Sequence, residues 1–359
     1  MSLSTTETVV AKRRRLATTD SLMFFILQRI LTGFFLIIGI TLIAFTITQL
    51  VPGDPAAANL GQSQYSDPAI VAAFYEKYGL DQPVHIQYWK YLTNLVQLDF
   101  GMSIGSGRPV STDLAEYLPA TVEIAFVAIV FSLIIGLALG TISAITRDRL
   151  PDQVIRVFSL TGVSMPMFWT ALTVFYIFFF VLGWSPGSGR LEPGIDPPSK
   201  VTGLYTVDSL LAGDFELFRM ALSHLALPAL VLGIYTVGLL TRFTRASVLE
   251  ILGNDYVRAA RAKGLSEWTV IRRHVLRPAL LSIVTVAGVA FASLLSGSVL
   301  VENVFSWPGL GQYAFTSALG LDLPGVMGVS MVVAFVYISM NIIVDVLYRV
   351  IDPTMKTNG

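Results

Sequence analysis

Few residues in this chain are equipped for chemistry, and most of them are scattered. There are three histidines, His85, His224 and His274, and no cysteine, which removes disulfides, thiolate metal sites and cysteine nucleophiles. No glycine precedes any lysine, so the phosphate-cradling G-x-x-x-x-G-K-[ST] loop is absent and nucleotide is not hydrolysed by that route. The H-E-x-x-H pattern is missing as well, no G-x-S-x-G is expected, and three scattered histidines, two of them outside or at an interface, suggest no metal or triad constellation. Reactive charge concentrates in one stretch, NDYVRAARAKGLSEWTVIRRHVLRP at residues 254 to 278, where Arg258, Arg261, Lys263, Arg272, Arg273 and Arg277 recur among alanines. The chemistry it offers is ionic: attraction to anionic headgroups or to another protein.

The elements around that stretch belong in a bilayer. Hydrophobic residues make up 54% of the 359-residue chain and charged residues 13%, against about 25% charged in an ordinary soluble domain. Six segments approach the roughly 20 apolar residues that a membrane-crossing helix needs: residues 30 to 50, 120 to 145, 157 to 182, 222 to 241, 279 to 301 and 325 to 348. The first follows KRRR at residues 12 to 15 and is too long for the core of a cleaved signal, so an uncleaved anchor is expected. Taking residues 1 to 29 as inside, 18 of the 24 Lys and Arg fall in the N-terminal segment, the loops after spans two and four, and the tail from 349 to 359. The positive-inside rule then places both termini, and the basic stretch, in the cytoplasm.

Ionisable groups are scarce inside the spans. Glu123 and His224 sit near outer ends and Asp345 near an inner end, where polar groups reach headgroups or pack between helices. A midplane carboxylate of the kind an ion-coupled carrier uses is not evident, so any uphill transport must draw its energy from another subunit. Gly288, Ala292 and Ser296 put small residues at four-residue spacing on the fifth span. That favours close helix packing, within the bundle or across a subunit interface.

The outer segment 51 to 119 contains DPAIVAAFYEKYGL, with Asp67 as cap, Pro68 in the first turn and Gly79 as terminator. After it, Ile86, Trp89, Leu92 and Val96 recur at helical spacing, which predicts an amphipathic helix lying on the outer surface, as a scaffold or docking surface or packed on the bundle. Residues 302 to 324 carry no Lys or Arg and mix aromatics with Pro308 and Gly309, as a re-entrant or interfacial loop at an outer vestibule would.

Within the basic stretch, Asn254 or Asp255 is placed to cap a short helix, Gly264 to end it, and Ser266 to cap the next. The second helix is read with Trp268, Ile271 and Val275 as an apolar stripe opposed by Arg272, Arg273 and Arg277. An Ala-containing helix, a Gly and then Pro278 fourteen residues later resemble the EAA loop of ABC importer permeases, with Arg258 where the consensus has Glu and Ala259 and Ala260 retained. The resemblance extends along the chain through LQRILTGFFLIIGITLIAFTITQLVPGDPA, DFGMSIGSGRPV, LPATVEIA, HLALPALVLG and VENVFSWPGLGQYAF, the pattern of the B-type subunit of dipeptide, oligopeptide and nickel importers. VTGLYTVDSLLAGD is similar to dipeptide-type members in particular.

The resemblance implies an all-α type I importer permease: an extracytoplasmic helical segment at 51 to 119, then a core domain at 120 to 348 with five spans and a cytoplasmic EAA loop at 242 to 278. It implies a homologous second permease, two cytoplasmic ATPase subunits that carry the ATP and Mg, and an extracytoplasmic substrate-binding protein. No cofactor, metal or catalytic residue is expected in this chain, and no nucleic acid partner. Residues 255 to 265 would seat in the ATPase, through Asp255, Tyr256, Arg258, Ala259, Ala260, Arg261, Lys263 and Leu265, with Gly264 as hinge. The cargo would be dipeptides or short oligopeptides; nickel complexes, glutathione-like peptides and, further off, an ion-coupled carrier are the alternatives.

Overall fold

Proline and glycine decide where the apolar helices of this chain break and where they touch. The computed structural model describes residues 31 to 351 except 48, 51, 52 and 61. The N-terminal segment 1 to 29, residue 30, the tail beyond 351 and the side chain of Asp345 lie outside the described residues.

The chain opens with α1 (Leu31–Ile47). Four helices follow: α2 (Pro55–Asn59), α3 (Gln62–Tyr65), α4 (Pro68–Tyr78) and α5 (Val84–Val96). Next come the long α6 (Val110–Ile145), α7 (Leu150–Ser164) and α8 (Met167–Phe175), which continues as a π-helical turn over Tyr176–Val181. After α9 (Tyr205–Leu211), α10 (Phe215–Leu252) runs into α11 (Asp255–Ala262). α12 (Glu267–Thr269) passes through a π-helical stretch, Val270–Leu276, into α13 (Arg277–Gly297). α14 (Val299–Val304), α15 (Leu310–Leu319) and α16 (Leu323–Ile351) complete it. Among the described residues the only strand-like pairing is a single bridge between Met102 and Pro109.

Three helices are each long and apolar enough to cross a bilayer: α6, α10 and the Leu323–Val344 part of α16. The number reaches five if each of two bent helix pairs counts as one span, and α1 is shorter than these. The segment expected as one span at 157 to 182 is two helices, α7 and α8, meeting at 102°. Pro166 is the cause. It has no N–H to continue α7, and it pushes the preceding Met165 into extended backbone (φ −78°, ψ 132°). Elsewhere the helices overrun the expected spans: α6 starts ten residues early and absorbs Pro119, and α10 extends as one piece to Leu252. Pro119 leaves the Ala115 carbonyl without its helical donor, and Lys200 Nζ lies 3.5 Å from it.

Glycines set the closest helix approaches. A Cβ on Gly136 would lie 2.7 Å from Leu240 Cβ, and one on Gly140 would lie 2.5 Å from Thr244 Cβ, so α6 and α10 cross with little between their backbones. α7 docks on α10 in the same way: a Cβ on Gly238 would meet the Ser159 carbonyl at 2.7 Å, and one on Gly162 the Ile234 carbonyl at 3.1 Å. Gly288 faces Val344 of α16 and Ala292 is buried. That part of the small-residue row therefore packs within the chain.

In the 51 to 109 region, α4 forms as its sequence predicts: Asp67 accepts from the Ala69 N–H at 2.9 Å, and Gly79 ends the helix at φ 67°. Asp54 collects hydroxyl donors from Tyr75 (2.6 Å) and Tyr65 (2.7 Å). The Tyr75 bond chiefly holds the Asp54 carboxyl below its usual range, against some burial, and Tyr75 itself is pushed up to about 12. α5 forms where its sequence predicts, with the face read from spacing turned outward. Trp89 and Val96 are 69% and 86% exposed and Ile86 also faces outward, while Tyr88 turns to α1, its hydroxyl 3.1 Å from Thr41 Oγ1 and its ring against Phe45. The helix has two apolar faces, and the one whose tyrosine finds a hydroxyl partner is the one turned inward.

Gly140→Val is expected to lower the melting temperature of the purified protein in detergent, by overpacking worth about 1 to 3 kcal/mol. Gly39→Val, where no atom lies within 4 Å of the added Cβ, should leave it unchanged. Equal melting of the two variants would contradict the close crossing.

Candidate functional site

The basic stretch folds onto the end of the bundle formed by the lower halves of α6 and α10. Asn254 takes the cap position of α11 with extended backbone (φ −74°, ψ 147°) but makes no capping side-chain bond. α11 then lays Val257 (fully buried) and Ala260 (6% exposed) into an apolar cluster with Ala144, Val248, Val270, Val275, Ala279 and Ile283. The two alanines of the motif therefore part company: Ala260 anchors the helix, and Ala259 faces out. Gly264 closes α11 at φ 78° with open space around it, a conformation that disfavours any residue with a Cβ. Ser266 caps α12 through Thr269 N–H at 3.4 Å.

The outward face carries Asp255, Tyr256, Arg258, Ala259, Arg261, Lys263 and Leu265. Arg258 pairs with Asp255 one turn away. Arg261 reaches Glu267 across the Gly264 turn, Nε to Oε1 at 2.8 Å and Nη2 to Oε2 at 3.2 Å. These exposed pairs contribute little stability, about 0 to 1 kcal/mol each, and only the Arg261–Glu267 pair spans the turn between α11 and α12. Trp268, expected in the buried stripe, is 69% exposed. The reason is the π-helical turn that follows it: with i to i+5 bonding, Val270 and Val275 align on the inner face beside Ile271, and Trp268 is left outside. Trp268, Tyr256 and Leu265 thus add exposed apolar surface to the charged face.

At the opposite end, α14, the turn after it and α15 fold back against α6. The Glu302 carboxylate is fully buried and accepts from Thr121 Oγ1 (2.8 Å), Ser298 Oγ (2.7 Å) and Gln312 N (2.9 Å). Trp307 is 1% exposed and its indole N–H donates to the Ala120 carbonyl at 2.9 Å. A Cβ on Gly311 would lie 2.8 Å from Glu302 Oε2, so that position needs glycine. Glu123 is a packing group, as its place in sequence suggests: Arg190 Nη2 donates to it at 2.5 Å, Thr206 N–H and hydroxyl at 2.8 and 2.6 Å, and the guanidinium stacks 3.4 Å over Tyr205. His224 is 4% exposed, with Nδ1 3.1 Å from the Met220 carbonyl within its own helix.

Gly101-Met102-Ser103-Ile104-Gly105 spells G-x-S-x-G, which corrects the expectation that this pattern is absent. It is no nucleophile elbow. Ser103 Oγ is buried and donates to Asp322 Oδ2 at 2.5 Å, the Ile104 and Gly325 amides fill Oδ1 at 3.0 and 3.1 Å, and no histidine bonds the serine among the described residues.

The α7–α8 bend leaves an open apolar groove of about 660 Å³ lined by Val157, Leu160, Thr161, Ser164, Met165, Pro166, Phe168 and Trp169. Its polar side-chain groups are the hydroxyls of Thr161 and Ser164 and the indole N–H of Trp169.

Residues 136–357 match the family described as binding-protein-dependent transport system inner membrane component, and residues 22–125 its N-terminal counterpart, binding-prot-dependent transport system membrane comp, N-term. The probable D,D-dipeptide transport system permease protein DdpB of Escherichia coli (strain K12) is 44% identical over 321 residues, 89% of this chain and 94% of that protein. The dipeptide transport system permease protein DppB of Haemophilus influenzae is 40% identical, covering 92% of this chain and 99% of that one. DppB of Alkalihalophilus pseudofirmus is 37% identical, over 93% and 100%. In fold, the chain is similar to one chain of the inward-facing MetNI methionine ABC transporter (CY5 SeMet soak crystal form), with TM-score 0.50 and 17% identity over 67% of this chain and 96% of that one.

Val257→Asp is expected to lift α11 from the bundle, because the carboxylate has no partner in that cluster. Trypsin should then cut after Arg258, Arg261 or Lys263 about tenfold faster or more, equivalent to about 1.4 kcal/mol of local stability. Arg258→Ala, on the exposed face, should leave cutting at the remaining sites unchanged. Equal cutting of Val257→Asp and the unmodified protein would contradict this seating.

Proposed function

The chain belongs to the family of binding-protein-dependent transport system inner membrane components, and from that premise we propose that it is the permease subunit of an ATP-driven importer of dipeptides or short oligopeptides. It is a multi-pass membrane protein, and its relatives are named as transport permeases. In this reading α1, α6, α7 with α8, α10, α13 and α16 are the six spans of a type I importer fold, both termini are cytoplasmic, and the membrane is the plasma membrane of a prokaryote. A homologous second permease completes the pathway. An extracytoplasmic binding protein delivers the peptide, and two cytoplasmic ATPase subunits bind the ATP and Mg that this chain has no loop to hold.

The observation that carries the reading is the two-sided build of α11. Val257 and Ala260 set it in an apolar cluster with Val270 and Val275 of the π-helical stretch, Val248 of α10 and Ala144 of α6, while Tyr256, Ala259, Arg258, Arg261 and Lys263 stay outward at the most basic end of the bundle. Anionic headgroups alone would require charge but not a rigid helix set between a left-handed glycine and a long span. A helix fixed to two spans converts the closure of a bound ATPase into movement of those spans, a two-state coupling through packed elements. The peptide cargo is supported by the names of the relatives.

The test is reconstitution in proteoliposomes with the second permease, the ATPases and the binding protein, scoring peptide uptake and peptide-stimulated ATP hydrolysis. Uptake should stop on ATP depletion while an ion gradient is maintained. Gly264→Val, whose β-branched side chain disfavours the left-handed turn by about 1 to 2 kcal/mol, should insert normally yet lose the stimulated hydrolysis. Uptake sustained by the gradient alone would overturn the importer reading.

A further inference from the structure

We propose that Asp152 is a positioning residue for transport: it latches α7 to α10, so that a displacement of α11 reaches the α7–α8 bend. The inference rests on the importer reading above. Its basis is a carboxylate with no exposed surface, saturated from three directions. Asp152 Oδ1 accepts from Ser143 Oγ of α6 at 2.5 Å and from Arg245 Nε of α10 at 2.8 Å. Oδ2 accepts from Arg245 Nη2 at 2.8 Å and from the Asp148 amide at 3.0 Å. The bidentate pairing fixes orientation as well as distance, and Asp148, at φ 62°, is held in a left-handed turn that a non-glycine residue rarely adopts.

Position gives the latch its function. Arg245 lies one helical turn before Val248, which is buried in the same apolar cluster as Val257 and Ala260 of α11. Asp152 lies in the first turn of α7, whose far end carries Thr161 and Ser164 to the groove at the bend. Between these points α7 is pressed to α10 where Gly238 meets the Ser159 carbonyl and Gly162 meets the Ile234 carbonyl. With the latch closed, α10 and α7 form one body, and α8, beyond the 102° bend, packs against α10 and α14 with Ala171 in the core, so the bend is carried with that body. With it open, α7 is tied only in its middle and far half, and its first turn slips as α10 moves. A role confined to closing the α6–α7 turn would need Ser143 and Asp148 but not the guanidinium of a different long helix.

The experiment uses the reconstituted complex and reads peptide taken up per ATP hydrolysed. Asp152→Asn keeps the size of the side chain and removes its charge. It should leave peptide-stimulated hydrolysis near the unmodified level while uptake per ATP falls about tenfold. Because the chain has no cysteine, Asp152→Cys with Arg245→Cys can be bridged by a bifunctional thiosulfonate linker. Bridging should restore uptake per ATP, and reduction should abolish it again. Unchanged uptake per ATP in Asp152→Asn would overturn the proposal. So would a bridged, ATP-hydrolysing double variant that transports no better than its reduced form, and this second arm decides if Asp152→Asn fails to assemble. Failure of the importer reading would appear differently, as absence of ATP-dependent uptake in the unmodified complex.

Discussion

The crossing of α6 and α10 is the contact on which the remaining helices depend. In lipid, burying an apolar side chain against another helix gains little over burying it against acyl chains, so helices associate through close, shape-matched contact. Gly136 and Gly140 provide it by letting the backbone of α10 approach at Leu240, Thr241 and Thr244. The Thr241 and Thr244 hydroxyls are buried there without hydrogen-bond partners among the described residues, so shape makes the contact at these residues, and a hydrogen bond from Ser132 Oγ to the Gly233 carbonyl at 3.3 Å joins the same two helices further along. α7 then adds to α10 through Gly162 and Gly238, and α11 joins through an apolar cluster shared with Val248, Val270 and Val275. Displacing the crossing would displace the loop and the bend together.

The two ends of this core are finished differently. At the end away from the basic loop, buried carboxylates are matched to donors from distant parts of the chain: Glu123 to Arg190 and Thr206, Glu302 to Thr121 and Ser298, Asp322 to Ser103. These bonds are costly to break one-sidedly, because the group left behind is buried and charged, and they staple the connecting segments into one cap. At the other end the exposed pairs of Arg258 and Arg261 are weak and accessible. A rigid cap and a loop with a replaceable ionic face are what a subunit needs if its partner pushes from the loop side.

How much of this was legible in the sequence depends on how local the cause is. Asp67, Pro68 and Gly79 act on their own helix, and α4 begins and ends where they predict. Gly264 is equally local and has the left-handed backbone expected of it. The bend at Pro166 was within reach, since a proline inside an apolar run carries its own steric consequence, but the length of that run masked it. The face of α5 was not, because Ile86, Trp89 and Val96 compete with Tyr88, Tyr91 and Leu95, and only the partner on α1 decides. Trp268 was misplaced because a π-helical turn changes the period on which the stripe was counted. The pairs Arg245 with Asp152 and Arg190 with Glu123 join residues far apart in the chain, and no spacing rule reaches them.

The central claim is that α11 meets the ATPase with one face and its own bundle with the other. The most direct measurement is cross-linking in the assembled importer from single cysteines introduced into this cysteine-free chain. Ala259→Cys, on the outward face, should cross-link to an ATPase subunit and be shielded from soluble thiol reagents. Ala262→Cys, also exposed in the isolated chain, should lose reagent access on assembly as well. An Ala259→Cys chain that never cross-links to an ATPase subunit, and reacts with soluble reagents equally before and after assembly, would contradict the account.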